Sequence, residues 1–181
     1  AQPLDAETSL NYSIGAIFRF DRASLTIDAY RIDVEDRIVL SENLGAGTTA
    51  ADVAVRNFLA ARNLAGNAGR FFINGVETTT QGVDAVLNLP LGGGAAGEFD
   101  LTIAANYTET DVTAVPATPQ LSALNPAPTL FGRFQVQTFE NGQPPYKGTV
   151  NLNWKRDGWG ATVRATHYGE VIAADANPLN D

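Results

Sequence analysis

Six segments of this sequence alternate between apolar and polar residues, and the connections between them alternate between short and long. Each segment is rich in β-branched and aromatic residues, as β-strands are, and the six lie at residues 9–20, 25–40, 71–89, 98–112, 146–156 and 159–172. The short connections are residues 21–24, 92–97 and 156–158, and the long ones are residues 41–70 and 113–145. In a meander, this order places every tight turn at one end of the sheet and every long loop at the other. The pattern predicts an all-β, up-and-down antiparallel meander of about six long strands.

The second segment changes phase along its length. Its apolar residues have odd numbers from Leu25 to Ala29 and even numbers from Tyr30 to Val34. Because a β-bulge adds one residue to a strand and exchanges its two faces, we expect a bulge near Ala29–Tyr30.

The first long connection contains one helix-like stretch, residues 51–64. Asp52 lies near its start and Gly66 just beyond its end, where helix termini favour these residue types. The apolar face around Val55 and Leu59 is small. We therefore expect a short loop helix that packs on its neighbours rather than one that grips a ligand.

Aromatic residues mark two levels on the apolar faces of the segments. The level beside the tight turns consists of Phe18, Phe20, Phe99, Trp154 and Trp159, and the level toward the long loops consists of Tyr12, Tyr107, Tyr146 and Tyr168. Tyr12 and Phe20 share a face because their separation is even, and they lie roughly 26 Å apart along an extended strand. A strand tilt of about 40° reduces this to roughly 20 Å, close to the apolar band of outer-membrane barrels. Trp159 and Tyr168 have opposite parity unless a bulge intervenes.

One apolar face per strand fits two architectures. In a soluble sandwich, that face packs on a second sheet, whereas in a membrane barrel it faces lipid and the polar face lines a wet lumen. The two aromatic levels and the separation of tight turns from long loops favour the barrel. The asparagines opposite the apolar faces favour it too; they are Asn11, Asn106, Asn151 and Asn153.

Composition excludes several classes of protein. Only 18% of the residues are charged, against about 25% in an average soluble protein, and no run of about 18 apolar residues predicts a transmembrane helix. The net charge of −8 argues against binding nucleic acid, because phosphate recognition needs a basic surface. The absence of cysteine excludes disulfides and thiolate metal sites, and a single histidine argues against a histidine metal site or a catalytic triad.

Three small motifs have bland explanations. His167 is expected to be a girdle or lumen residue near the loops. Asp33, Glu35 and Asp36 alternate between faces, so an ion-paired rim with Arg37 is favoured over a calcium site. The glycines at 92–94 lack the lysine and helix of a phosphate loop, so they predict a flexible turn. We expect neither catalytic residues nor a bound cofactor or metal.

The motifs in series resemble the barrel region of TonB-dependent outer-membrane receptors. In that family an E-x-S-x-N-Y-x-x-G strand precedes an A-Y-R-I-x-x-x-D-R-I strand and an N-G-x-x-x-T-x-G-V-D strand. The corresponding stretches here are ETSLNYSIG at 7–15, AYRIDVEDRI at 29–38 and NGVETTTQGVD at 74–84, and FENGQPPYKGTVNLNW and ATHYGEV continue the resemblance. The similarity covers residues 4–172 and is weakest in the two long loops.

This resemblance implies a 22-stranded transmembrane barrel with an N-terminal plug, in which TonB energises uptake of a siderophore, cobalamin, haem or sugar. Residues 1–181 are expected to form part of that barrel domain, without the plug or the closing C-terminal strands. The lipid bilayer and the rest of the barrel are the expected partners, and the long loops 42–70 and 113–145 the expected ligand contacts. Six strands cannot close so wide a barrel, so an isolated piece is expected to self-associate through its strand edges.

The main alternative is a soluble β-sandwich or small-barrel binding module, for example for carbohydrate. It predicts a water-soluble monomer whose Val83–Leu89 face is buried between two sheets. An enzyme is disfavoured because no acid–base or nucleophile set emerges from the sequence.

Overall fold

The computed structural model describes residues 4–64 and 66–173, which form one six-stranded antiparallel sheet in the order β1-β2-β3-β4-β5-β6. The strands are β1 (Thr8–Phe20), β2 (Ala23–Leu40), β3 (Phe72–Gly94), β4 (Gly97–Ala114), β5 (Tyr146–Arg156) and β6 (Trp159–Tyr168). The helices are α1 (Ala50–Ala60), α2 (Pro119–Ser122) and α3 (Arg133–Asn141). The predicted all-β meander is confirmed, and α1 is the predicted loop helix.

Tight turns join the strands at one end of the sheet, and two long loops join them at the other. Asp157 and Gly158, between β5 and β6, both have positive φ, as a two-residue turn of type I′ requires. At the opposite end, loop 1 (residues 41–71) carries α1, and loop 2 (residues 115–145) carries α2 and α3. The asymmetry predicted from the connection lengths is therefore present in the structure.

The bulge predicted near Ala29–Tyr30 is wrong. The register between β2 and its neighbours is continuous there and shifts instead between Val34 and Arg37 and again before Val39. The backbone marks these shifts with positive φ at Asp36 in β2 and at Gly75 in β3. The apparent change of phase has another cause: the apolar residues from Tyr30 to Val34 lie on the mainly polar side of the sheet.

Cross-strand register assigns every side chain to one of two faces, because directly opposed residues of antiparallel strands point to the same side. One row of the apolar face is Ile14, Ala29, Val83, Tyr107 and Tyr146, and one row of the polar face is Gly15, Asp28, Asp84, Asn106, Lys147 and Tyr168. The apolar face has no second layer in the described part of the chain, and Ile14 is 77% exposed there.

The buried core lies at the long-loop end rather than under the sheet. The loop core consists of Val39, Leu44, Val55, Ile73, Val76, Leu130 and Phe131. The ends of β2 and β3 contribute three of these residues, and the two long loops contribute the other four. The strongest packing therefore connects the strand ends to both loops.

Candidate membrane-facing and ligand-facing surfaces

Eight of the nine predicted girdle aromatics lie on the apolar face. Phe99 is directly opposite Trp154 near the tight turns, and Tyr107 is directly opposite Tyr146 toward the loops. The Trp154 indole N–H donates a hydrogen bond of 2.7 Å to the carbonyl of Ala96 in a tight turn. Rings with an apolar body and a satisfied polar group suit the boundary between lipid and water.

Tyr168 is the ninth aromatic, and the register separates it from the other eight. It lies opposite Lys147 on the polar face, with the lysine ammonium 5.3 Å from its ring centroid. His167 takes the position on the apolar face, where its ring lies 5.9 Å from that of Tyr146. No register shift interrupts β6. Because their separation is odd, Trp159 and Tyr168 therefore lie on opposite faces of the sheet.

A polar rim lies just beyond the aromatic level that is nearer the long loops, on the same side of the sheet; 'upper' below means toward these loops. Arg31 and Asp33 form a salt bridge of 2.9 Å, and the Thr79 hydroxyl donates a hydrogen bond of 2.7 Å to the same carboxylate. Arg37, the expected partner of these acids, instead donates to the Thr78 hydroxyl at 3.0 Å. Within the described residues, 4–64 and 66–173, no group of three or more His, Cys, Asp or Glu side chains is arranged to hold a metal ion.

Hydrogen bonds between neighbouring strands cover the polar face. The Asn106 amide donates to Asp84 at 2.7 Å, and the hydroxyls of Thr80 and Thr110 are 2.9 Å apart. Such pairs leave donors and acceptors free for water or for a polar ligand. The polar face is thus a wettable wall built mainly from amides and hydroxyls.

Tyr30 occupies a place of its own on this wall. Its ring lies over Gly82, the directly opposed residue of β3, where no side chain stands in the way. Because Gly82 has no side chain, it leaves room for the Tyr30 ring on the polar face.

Loop 2 covers the end of the polar face that is nearer the long loops, and it contacts loop 1 there. Val34, Thr78 and Val112 form one row of that face, and Val112 packs against the loop core. The Arg37 guanidinium reaches the same place, 5.0 Å from the Phe139 ring of loop 2. The loop residues predicted to contact a ligand, 42–70 and 113–145, therefore frame the upper end of the polar wall; the structure singles out no individual contact among them.

No pattern in the sequence indicates how loop 2 covers the edge of β4. β5 starts opposite Tyr107, so residues 108–114 of β4 continue without a β5 partner. α3 packs beside this edge, and the Glu140 carboxylate accepts a hydrogen bond of 3.0 Å from the Val112 N–H. An exposed strand edge is thereby capped, as exposed edges commonly are in native proteins.

A two-faced sheet with tight turns at one end, long loops at the other and an exposed, aromatic-bordered apolar face is a segment of a transmembrane β-barrel. The family model described as "TonB dependent receptor-like, beta-barrel" matches residues 1–181, and the chain belongs to this family of bacterial outer-membrane receptors. A search of the curated proteins found no match. Of the helices in the described ranges, none has the length and apolarity to cross a membrane.

Proposed function

We propose that this chain forms part of the wall through which a TonB-dependent receptor takes up a scarce small molecule of the siderophore, cobalamin, haem or sugar type. Membership of the family supports uptake by an outer-membrane receptor. The observation that carries the proposal further is the position of loop 2 over the polar face, where it shares a core with loop 1. A ligand held there would meet amides and hydroxyls below and loop side chains above.

The rest of the receptor completes this proposal. A plug domain would fill the barrel beside the polar face, and TonB would act through that plug. The bilayer would cover the apolar face between its two aromatic levels. A soluble sandwich would need a second sheet on this face, and the described residues form a single sheet. The family comprises receptors and transporters, so catalysis is not proposed.

Uptake measurements test the proposal. Cells that lack the receptor gene, and cells that carry it, are supplied in turn with a ferric siderophore, cobalamin, haem and an oligosaccharide, each with and without functional TonB. We expect one class to accumulate only when both the receptor and TonB are present. The proposal is refuted if none of these classes needs both the receptor and TonB for its uptake.

The contribution of the polar wall is tested in the same cells. Asn106→Leu replaces a hydrogen-bonding amide on the polar face, and Val150→Leu is its control on the apolar face. If the wall lines the ligand path, the first variant lowers uptake several-fold while the control does not. Equal uptake by both variants, at equal amounts of receptor in the membrane, would show that the ligand does not pass this surface.

A further inference from the structure

We propose that loop 1 and loop 2 form a single cooperative cap, so that neither loop opens without the other. This concerns the mechanics of the loops and holds whatever ligand the receptor takes. It predicts that access to the upper polar wall changes only when the two loops move as one body.

The first observation is the shared core. Val55 of α1 is 3% exposed and Phe131 of loop 2 is 4% exposed, and both belong to the loop core with Val76 of β3, which is fully buried. Truncating Val55 in loop 1 or Phe131 in loop 2 would therefore open a cavity beside the other loop. Close packing of this kind couples the elements that share it.

The second observation is a backbone connection between the loops. The Glu42 N–H of loop 1 donates a hydrogen bond of 2.9 Å to the Leu130 carbonyl of loop 2. Ser41, next to Glu42, is 2% exposed, and its hydroxyl accepts from the Phe71 N–H at 3.2 Å, which closes the two ends of loop 1 on each other. Opening loop 2 alone would break the hydrogen bond between Glu42 and Leu130, which costs free energy.

The third observation is that each loop is also attached to the sheet. Loop 2 is held by the hydrogen bond from the Val112 N–H to Glu140 and by Arg37 against Phe139. Loop 1 continues directly from β2 into β3, whose ends Val39 and Ile73 lie in the same core. The sheet, loop 1 and loop 2 therefore meet in one cluster rather than in two separate contacts.

Hydrogen exchange of the complete receptor in detergent micelles tests this cooperativity. Phe131→Ala removes the buried ring of loop 2, and Phe134→Ala removes a ring three residues away that is 52% exposed. We expect Phe131→Ala to accelerate exchange about 100-fold or more in residues 115–145 and equally in residues 44–69. Phe134→Ala is expected to change neither region.

The reciprocal pair lies on α1. Val55→Ala shortens a buried side chain, and Val53→Ala shortens one that is 43% exposed. We expect the first to accelerate exchange about tenfold in α1 and in α3 together, and the second to leave both unchanged. Acceleration confined to the mutated loop, or none in either loop, would overturn the proposal.

Strand peptides provide the internal standard in both experiments. If their exchange is unchanged, the variant is folded and the comparison of loops is valid. If Phe131→Ala accelerates the strands as well, the milder Phe131→Leu is judged by the same criterion. Spin labels on Val53→Cys and Phe134→Cys give a second measurement; these 181 residues contain no cysteine, and any cysteine elsewhere in the receptor is first replaced by serine. One narrow distance supports a single body, and a broad or two-peaked distribution contradicts it.

Discussion

Gly82 and Tyr30 provide the sharpest quantitative test of the sheet. A methyl group at Gly82 would collide with the Tyr30 ring and would stand 2.5 Å from the Tyr107 carbonyl oxygen. The ring can rotate away, but the carbonyl belongs to the continuous ladder between β3 and β4. Gly82→Ala must therefore displace the Tyr30 ring and strain this ladder, which lowers the stability of the sheet.

The expected magnitude follows from two opposing effects. Overpacking of a fitted site costs about 1–3 kcal/mol. Replacing a strand glycine by alanine returns about 0.5–1 kcal/mol because the unfolded chain has less freedom to lose. These effects differ by about 0–2.5 kcal/mol, and we expect Gly82→Ala to lower the free energy of unfolding by about 1–2 kcal/mol, near the middle of this range.

Gly148→Ala is the matched control. Gly148 is also a strand glycine, but a methyl group there meets no atom within 4 Å. This substitution is expected to leave stability unchanged or to raise it by up to about 1 kcal/mol. Both variants of the full receptor are compared by guanidinium unfolding in detergent, followed by far-UV circular dichroism.

The refuting result is equally definite. If Gly82→Ala unfolds at the same denaturant concentration as Gly148→Ala, the contact with Tyr30 and Tyr107 does not limit this site. Adding Tyr30→Ala to Gly82→Ala should recover only part of the loss, since the carbonyl remains at 2.5 Å.

Four further predictions concern the loops and the edges of the sheet. The Thr49 hydroxyl and nearby backbone N–H groups lower the pKa of Asp52, so its charged form stabilises α1 at pH values above the ordinary value of about 4, and this stabilisation is lost as the pH falls through the lowered pKa. Asp52→Asn should remove the fall in α1 protection factors between neutral and strongly acidic pH; a fall that persists would contradict this. Asn74 exchanges hydrogen bonds of 2.9 Å with the backbone of Asp5 in both directions, and Asn74→Ala should release residues 4–8 at a cost of about 2 kcal/mol, visible as faster amide exchange there and not in β5. Glu140→Gln keeps an acceptor for the Val112 N–H and should preserve its protection, whereas Glu140→Ala should lose it; equal loss in both would assign the effect to charge. The isolated chain should aggregate in buffer without detergent, because β1 and β6 each have a free edge and the apolar face is uncovered, and a soluble monomer in sedimentation would contradict the membrane-facing assignment.

The strands could be predicted from the sequence because alternation along a strand is a local property. β5 begins and ends where the alternation indicated, at Tyr146 and Arg156. β3 continues to Gly94, beyond the predicted end, because a register shift after Pro90 lets the glycines pair with the start of β4. β6 stops at Tyr168, short of residue 172, at the level where β5 begins.

The loop core could not be predicted in the same way. Val76 and Phe131 meet only because loop 2 folds back over the polar face, and no periodic pattern links them. α3 has a mostly polar sequence and was missed, although it positions Glu140 at the edge of β4. The incorrect bulge has the same origin: Val34 is apolar because the row that it shares with Thr78 and Val112 continues into the loop core, and not because β2 exchanges its faces.

The unequal heights of the strands give the barrel wall an uneven rim. β2 continues to Leu40, past Glu35, which is opposite the first residue of β1, and β4 continues past the start of β5 by residues 108–114, about 23 Å of extended chain. β2, β3 and β4 are thus the tallest strands of this sheet, and the loop core packs against their ends. Above the start of β5, α3 of loop 2 packs beside this part of β4 instead of a further strand. The rim is therefore built from strands at β2, β3 and β4 and from a loop helix next to them, so its height above β5 depends on loop 2 and not on the sheet.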